Sequence, residues 1–205
     1  MFDDGNFAKV RAATKRMNIR ATDEQIVLWL EYIYLLKKWN KTYKMTSITE
    51  IDEMLNLHLY DSLSISKYIH GSHTVDVGTG GGLPGVVLAI LYPSHEFTLI
   101  DSIGKKINFL NHVKYTLNIN NIWPIQTRVE NFNPEHRFDN VVSRAFTSLE
   151  NFYTLCKHLS KDNGQFLAMK GKIIEDELLK LGNKSIETIA LNVPGLDAER
   201  HLVKF

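Results

Sequence analysis

The chain has 205 residues, 44% of them hydrophobic, and 24 Lys and Arg balance 23 Asp and Glu to a formal net charge of +1. That length supports one α/β domain with a sizeable core and a small appendage, and the composition excludes a disordered chain or a polycation. No apolar run reaches the roughly 18 residues of a membrane span, the opening MFDDGNFAKVRAATKR has no hydrophobic signal core, and the one cysteine, Cys156, excludes an intramolecular disulfide, so a cytoplasmic protein without a membrane partner is expected.

Residues 1–70 read as a helical extension. Between Lys9 and Lys44 there are nine basic residues and three acidic ones, a local excess of six positive charges. This segment suits a phosphate-backbone partner, or is an ordinary solvated helix face. Thr22 and Gln25 form a T-x-x-Q capping box ahead of an apolar stripe at Ile26, Trp29, Leu30, Ile33 and Leu36. Asn40 and the Thr42–Thr49 region interrupt it. A further helix is expected over Ile51–Ile69, ended by Gly71–Ser72. His58 and Asp61, three apart in HLYDS, either pair on one helix face or look into a cleft.

From Thr74 onward strands and helices alternate. The first strand, Thr74–Val77, leads into a glycine turn and a helix that opens at Leu83–Pro84 and stops by Pro93. Strand Phe97–Ile100 ends at Asp101, and a helix carries Ile103, Ile107, Phe109, Leu110, Val113 and Leu117. A third strand, Ile122–Gln126, contains Pro124 and so belongs at an edge or a strand start. A fourth, Phe138–Ser143, precedes a helix over Ser148–Leu159 in which Cys156 is a small buried hydrophobe. Strand Gly164–Met169, a helix near Glu175–Leu181, and strands Ser185–Val193 and Arg200–Phe205 complete the chain. The last two are expected to pair antiparallel through a short Pro194–Gly195 turn. The whole reads as an α/β fold: a doubly wound, mostly parallel sheet over residues 71–205, with a C-terminal antiparallel hairpin and the N-terminal helical extension, in one compact unit.

Ligands of such sheets sit at the carboxyl ends of the strands. The turn there is Val75–Gly85, VDVGTGGGLPG. Its glycines fit two registers. Gly78, Gly80 and Gly82 with Asp76 give D-x-G-x-G-x-G, which resembles the first motif of class I S-adenosylmethionine-dependent methyltransferases. Gly80, Gly82 and Gly85 give G-x-G-x-x-G, the dinucleotide fingerprint, which alone is weak. Asp76 favours the first register, because a carboxylate suits an ammonium and sits badly beside a pyrophosphate.

Three further strand ends carry candidate residues. Asp101 is placed to accept hydrogen bonds from a ribose, or else caps the following helix. Val129 and Glu130 follow the third strand, where an acid and an apolar neighbour often meet the adenine in folds similar to methyltransferases, or Glu130 pairs with Arg128 on the surface. Arg144 can anchor a carboxylate or phosphate, or stack on a base, or form a structural salt bridge to Asp101 or Glu130. No residue is assigned as catalytic. A lone histidine without other ligands at useful spacing predicts no metal site.

These stretches together resemble one family, RsmG or GidB, the bacterial 16S rRNA (guanine(527)-N7)-methyltransferases. The matching pieces are KWNKTY, HLYDSLSI, VDVGTGGGLPG, FTLIDSIGKKINFL, QTRVENF, FDNVVSRAFTSL, AMKG and ERHLV, in family order along nearly the whole chain. The resemblance implies a Rossmann-like class I methyltransferase that uses S-adenosyl-L-methionine. Carried over by motif position, Gly78, Gly80, Leu83, Val129, Glu130 and Arg144 would bind that cofactor, with Asp101 fitting the same site. It also implies 16S rRNA or the small ribosomal subunit as partner, and a monomer is expected. Guanine N7 has a free lone pair, so the chemistry needs positioning more than a base.

Three departures from the family pattern stand out. Gly81 replaces a common proline, which should loosen the turn. Lys44–Met45–Thr46 replaces Asn-Leu-Thr. The short end, Val203–Lys204–Phe205, should trim the final strand. Two other readings remain open on residues alone: a nicotinamide-dependent oxidoreductase, from the second glycine register, and a non-catalytic RNA-binding or assembly factor, from the basic N-terminal segment.

Overall fold

The computed structural model describes residues 4–145, 147–173, 175–182 and 185–205. Phe146 of the FDNVVSRAFTSL stretch lies outside them.

Among the described residues the extension is mostly helical, as expected, with non-helical links at 17–22 and 44–50. Helix α1 (Asp4–Arg16) packs on α2 (Asp23–Tyr43). Both halves of the capping box form: Thr22 Oγ1 accepts from Gln25 N at 3.3 Å, and Gln25 Oε1 accepts from Thr22 N at 3.0 Å. The amide of Gln25 also donates to the carbonyls of Ile90 and Leu91, so one side chain starts α2 and satisfies the end of another helix. The apolar stripe of α2 is buried from Ile26 to Leu36.

The predicted 51–69 helix is wound in three ways. It runs as α3 (Ile51–Met54), a π-helical stretch (Leu55–Tyr60) and α4 (Asp61–Leu63), followed by a 3₁₀ turn at Ser66–Tyr68. Wider π winding is frequent at functional sites, and here it contains His58 and ends just before Asp61.

The sheet has seven strands in the order β3-β2-β1-β4-β5-β7-β6. β1 (His73–Val77), β2 (Glu96–Asp101), β3 (Ile122–Gln126), β4 (Phe138–Arg144) and β5 (Ser160–Lys170) are parallel. β7 (His201–Lys204) runs antiparallel to both β5 and β6 (Glu187–Ala190). Pro124 lies on β3, the edge strand, where its missing N–H interrupts no ladder. The last ladder continues past β7, since Phe205 and Phe166 exchange both backbone hydrogen bonds. The predicted tight turn at Pro194–Gly195 is instead part of a longer link. β6 stops at Ala190, a Leu191 N to Arg200 O bond closes the link, and Pro194 has no N–H with which to extend the strand.

Side chains alternate across the sheet, so each face has its own core. Helices α5 (Gly85–Leu91) and α6 (Gly104–Thr116) cover one face together with the extension, in a single apolar cluster that joins Trp29 and Leu36 to Val86, Leu99 and Phe109. Helix α7 (Leu149–Cys156) covers the other, where Phe152 and Cys156 pack with Val75, Val77 and Phe166; α8 (Glu175–Leu179) lies against α7. No described helix is long and apolar enough to cross a membrane.

Candidate active site

The strand order reverses between β1 and β4, and a cleft of about 610 Å³ opens at their carboxyl ends. One wall is the turn after β1, including Gly78, Gly80, Gly81 and Leu83. A second is the end of β4 with Arg144 and Ala145. The tail of β5 and the start of β7 add Met169, Lys170, Arg200 and His201. The extension closes the cleft with Leu36, the Met45–Ile48 segment, Leu57, His58 and Asp61.

The glycine turn is bent by need. Gly78, Gly80 and Gly82 have φ of +67°, +60° and +98°, a region that other residues occupy at a cost. A Cβ at Gly80 would meet nothing closer than Lys106 Nζ at 3.6 Å, so that position is open. Gly85 differs. Its Cβ would lie 2.2 Å from Leu99 Cδ2, and its N–H already donates to Asp76 Oδ2 at 2.9 Å. The third glycine of the dinucleotide register is therefore consumed by internal packing.

Asp76 corrects the expectation that it would face an ammonium. It is fully buried beneath the turn, where Oδ2 accepts from Thr79 Oγ1 at 2.8 Å and from Gly85 N. Among the described residues Oδ1 has no hydrogen-bond partner. Burial raises its pKa to about 6, against the opposing hydrogen bonds from Thr79 and Gly85. Asp76 braces the turn from behind. Gly81, expected to loosen the turn, is held too: its carbonyl accepts from Tyr32 Oη at 2.7 Å.

The seven cofactor candidates divide in two. Gly78, Gly80, Leu83 and Arg144 line the cleft. Asp101, Val129 and Glu130 do not. Asp101 ends β2 with its carboxylate turned inward, accepting from Gly80 N at 3.0 Å and from Ile103 N at 2.9 Å, with Lys106 Nζ at 3.8 Å. It ties the glycine turn to the start of α6. Val129 opens a short 3₁₀ turn (Val129–Asn131) and is buried in the core with Val75 and Ile100, while Glu130 beside it is exposed.

Arg144 has a partner, and it is neither Asp101 nor Glu130. Nη1 donates to Leu57 O at 2.8 Å and to Asp61 Oδ2 at 3.2 Å. Asp61 also pairs through Oδ1 with Arg200 Nε at 3.3 Å. One buried carboxylate thus holds two guanidinium groups at the cleft. His58 does not pair with Asp61: His58 stands in the π-helical stretch, whose wider winding turns it away from Asp61 at the start of α4. Its Nε2 lies 3.0 Å from Thr46 Oγ1. Burial, and then Arg144, push its pKa down to about 4, so the ring is neutral near pH 7. Arg200 and Lys106 were not singled out from sequence. Nothing local marks Arg200; only the geometry of β7 brings it beside Asp61. Among the described residues no cluster of His, Cys, Asp or Glu could hold a metal ion.

Comparison with known proteins agrees with this geometry. Solved structures of low identity share the fold: a SAM-dependent methyltransferase from Aquifex aeolicus (TM-score 0.58, 17% identity, 74% of this chain and 91% of that one) and a precorrin-6y C5,15-methyltransferase from Geobacter metallireducens (TM-score 0.57, 11% identity, 80% and 90%). Relatives in sequence are much nearer. A ribosomal RNA small subunit methyltransferase G from Francisella tularensis is 56% identical over 195 residues, covering 95% of this chain and 94% of the relative. Its counterpart from Francisella philomiragia is 58% identical over 196 residues, covering 95% of each. The model of the GidB family, rRNA small subunit methyltransferase G, matches residues 25–203. With the glycine turn, the β1/β4 cleft and this match in agreement, the chain belongs to the GidB family.

Proposed function

We propose that this chain transfers the methyl group of S-adenosyl-L-methionine to N7 of a guanine in 16S rRNA, position 527 by family resemblance, in the cleft at the ends of β1 and β4. The observation that carries this reading is the family match over residues 25–203. The cleft suits the cofactor in size and chemistry: its turn leaves Gly80 open, and Arg144 offers a guanidinium beside it. Gly78, Gly80, Leu83 and Arg144 would hold the cofactor directly. Asp101, Val129 and Glu130 would contribute at the adjoining rim, Asp101 also by fixing the turn.

The cofactor, when bound, supplies an electrophilic methyl group. That methyl group would go to the free lone pair of guanine N7, from which no proton has to leave first, with Gly78, Gly80, Leu83 and Arg144 holding its donor. The chain's task is alignment in a site screened from water. Leu36, Met45, Ile48 and Leu57 give the cleft apolar walls. Neutral His58 adds no charge, and Asp61 fixes the directions of both arginines. The substrate base must be reachable, so an exposed loop of 16S rRNA or a partly assembled small subunit is the partner. The enzyme acts as a monomer in the cytoplasm.

Transfer of tritiated methyl groups to small-subunit rRNA tests this. Labelled RNA should break at one guanine under borohydride and aniline, as N7-methylated sites do. Unchanged transfer by a Gly78→Asp, Arg144→Ala double variant would remove the site from this cleft. RNA binding without transfer to any form of the subunit would make the chain a binding factor instead.

A further inference from the structure

A second cavity, of about 780 Å³, lies on the other side of Leu191 from the cofactor cleft. The link between α1 and α2, the segment after α4 and the residues after β6 surround it. Leu191 lines both cavities, so they are neighbours along one surface.

Its charge is one-sided. Arg16, Arg20 and Lys67 line it, and no acidic residue does. These three come from different elements, all are exposed, and among the described residues none has a carboxylate partner. Two other bases of α1 do have acidic partners: Lys9 pairs with Asp52 and Arg11 with Asp23. Of the nine bases of the N-terminal segment, Arg16 and Arg20 reach this cavity, and Lys67 joins them from beyond that segment. A last-turn arginine such as Arg16 is ordinary at a helix end. Arg20 and Lys67 are not at that end, and an anion seated in the cavity would be attracted by all three. Lys67 also lies over the Tyr68 ring at 5.0 Å, and the Tyr92 ring closes the cavity beside it.

We propose that this cavity is a binding groove for the sugar–phosphate backbone of the RNA substrate, away from the nucleotide that is methylated. Arg16, Arg20 and Lys67 each face a phosphate, and the strand passes Leu191 on its way from the cofactor cleft. The proposal rests on the rRNA-methyltransferase reading above. It adds a second contact region that fixes the RNA without touching the reacting atoms.

The test is an Arg16→Ala, Arg20→Ala, Lys67→Ala variant beside a control of equal charge change, Arg137→Ala, Lys157→Ala, Lys180→Ala, whose residues are exposed and line neither cavity. Binding to 16S rRNA fragments is measured across salt concentrations, with S-adenosylhomocysteine affinity as the check on folding. Three lost phosphate contacts should weaken RNA binding by roughly ten- to fiftyfold and reduce the log–log salt slope by about 2. Cofactor affinity and the turnover number at saturating RNA should not change. Equal losses in both triple variants, or an unchanged slope in a folded groove variant, would overturn the proposal. So would competition by polyglutamate as strong as by RNA, which would assign the groove to an acidic protein. Failure of the wild type to methylate any rRNA would count against the functional reading alone, because loss of RNA binding in the groove variant would still uphold the groove.

Discussion

Asp76 should make the protein less stable as pH rises through the weakly acidic range, and Asp76→Asn should abolish that loss. The carboxyl is wholly buried, two donors reach Oδ2, and among the described residues Oδ1 has none. Burial sets its folded pKa at about 6, above the ordinary 3.8 of an unfolded chain. The folded state therefore binds this proton more tightly than the unfolded state. The stability it contributes is complete below about pH 4, is lost as pH climbs through about 6, and is gone above that. A displacement of about two units corresponds to about 3 kcal/mol between those limits. Asparagine offers an oxygen to the same two donors and has no charge to desolvate. Its own packing cost does not vary with pH, so only the pH-dependent part of the difference matters. Urea unfolding of both proteins between about pH 4 and about pH 7.5 measures it. Wild type should lose about 3 kcal/mol relative to the variant across that range. A difference that stays flat with pH would refute the argument that an ionised carboxylate is being desolvated beneath the turn.

Asp61→Asn should lower stability by about 2–3 kcal/mol, below the full cost of breaking a buried pair because both arginines keep some contact with water; calorimetry should show a Tm drop of about 5–10 °C, and S-adenosylhomocysteine should bind more weakly. Gly85→Ala drives a methyl group into Leu99 and Asp76 and should cost about 3 kcal/mol or more in urea unfolding. Gly80→Ala meets open space and should cost only about 1–2 kcal/mol for its left-handed backbone, while weakening cofactor binding measured by calorimetric titration. Lys44 caps α2 at φ of +49°, so Lys44→Gly should raise stability by about 0.5–1 kcal/mol in the same unfolding assay. We expect residues 71–205 alone to show no cooperative thermal transition by circular dichroism, since Trp29, Tyr32 and Gln25 bond directly to α5 and to the glycine turn.

Local chemistry made much of this fold legible. The capping box at Thr22, the proline at the start of α5 and the alternation from Thr74 onward each reflect short-range rules that burial later reinforced. Pro124 even located an edge strand. What the sequence could not carry was direction across the fold. Asp76 and Asp101 lie at strand ends, yet both turn toward backbone N–H groups of the glycine turn region, because those donors would otherwise be unsatisfied near the core. His58 stands in a π-helical stretch that no residue pattern announces, and so it does not share a face with Asp61. The family asparagine at position 44 gains a physical account only from the left-handed cap found there: asparagine tolerates that backbone better than lysine. Arg200 meets Asp61 across 139 residues of chain, a distance over which periodicity says nothing.

The charge at the cleft fits the reaction proposed for it. Two guanidinium groups share the one buried carboxylate of Asp61, so the cluster keeps a net positive charge. That suits the carboxylate of an amino-acid moiety and the phosphates of an RNA. A third cation beside them would be costly, and His58 avoids it by staying neutral, its proton held off by burial and by Arg144. Methyl transfer to N7 moves one positive charge from sulfur to the purine ring and creates none. A site for such a step needs no new donor or acceptor at the moment of reaction; it needs its existing charges held still. Asp61 does this from the start of α4 in the extension, Gly78 and Gly80 from the turn after β1, and Arg144 from the end of β4. Removing the extension would therefore take away the carboxylate that orients both arginines, while leaving every residue of the glycine motif in the chain.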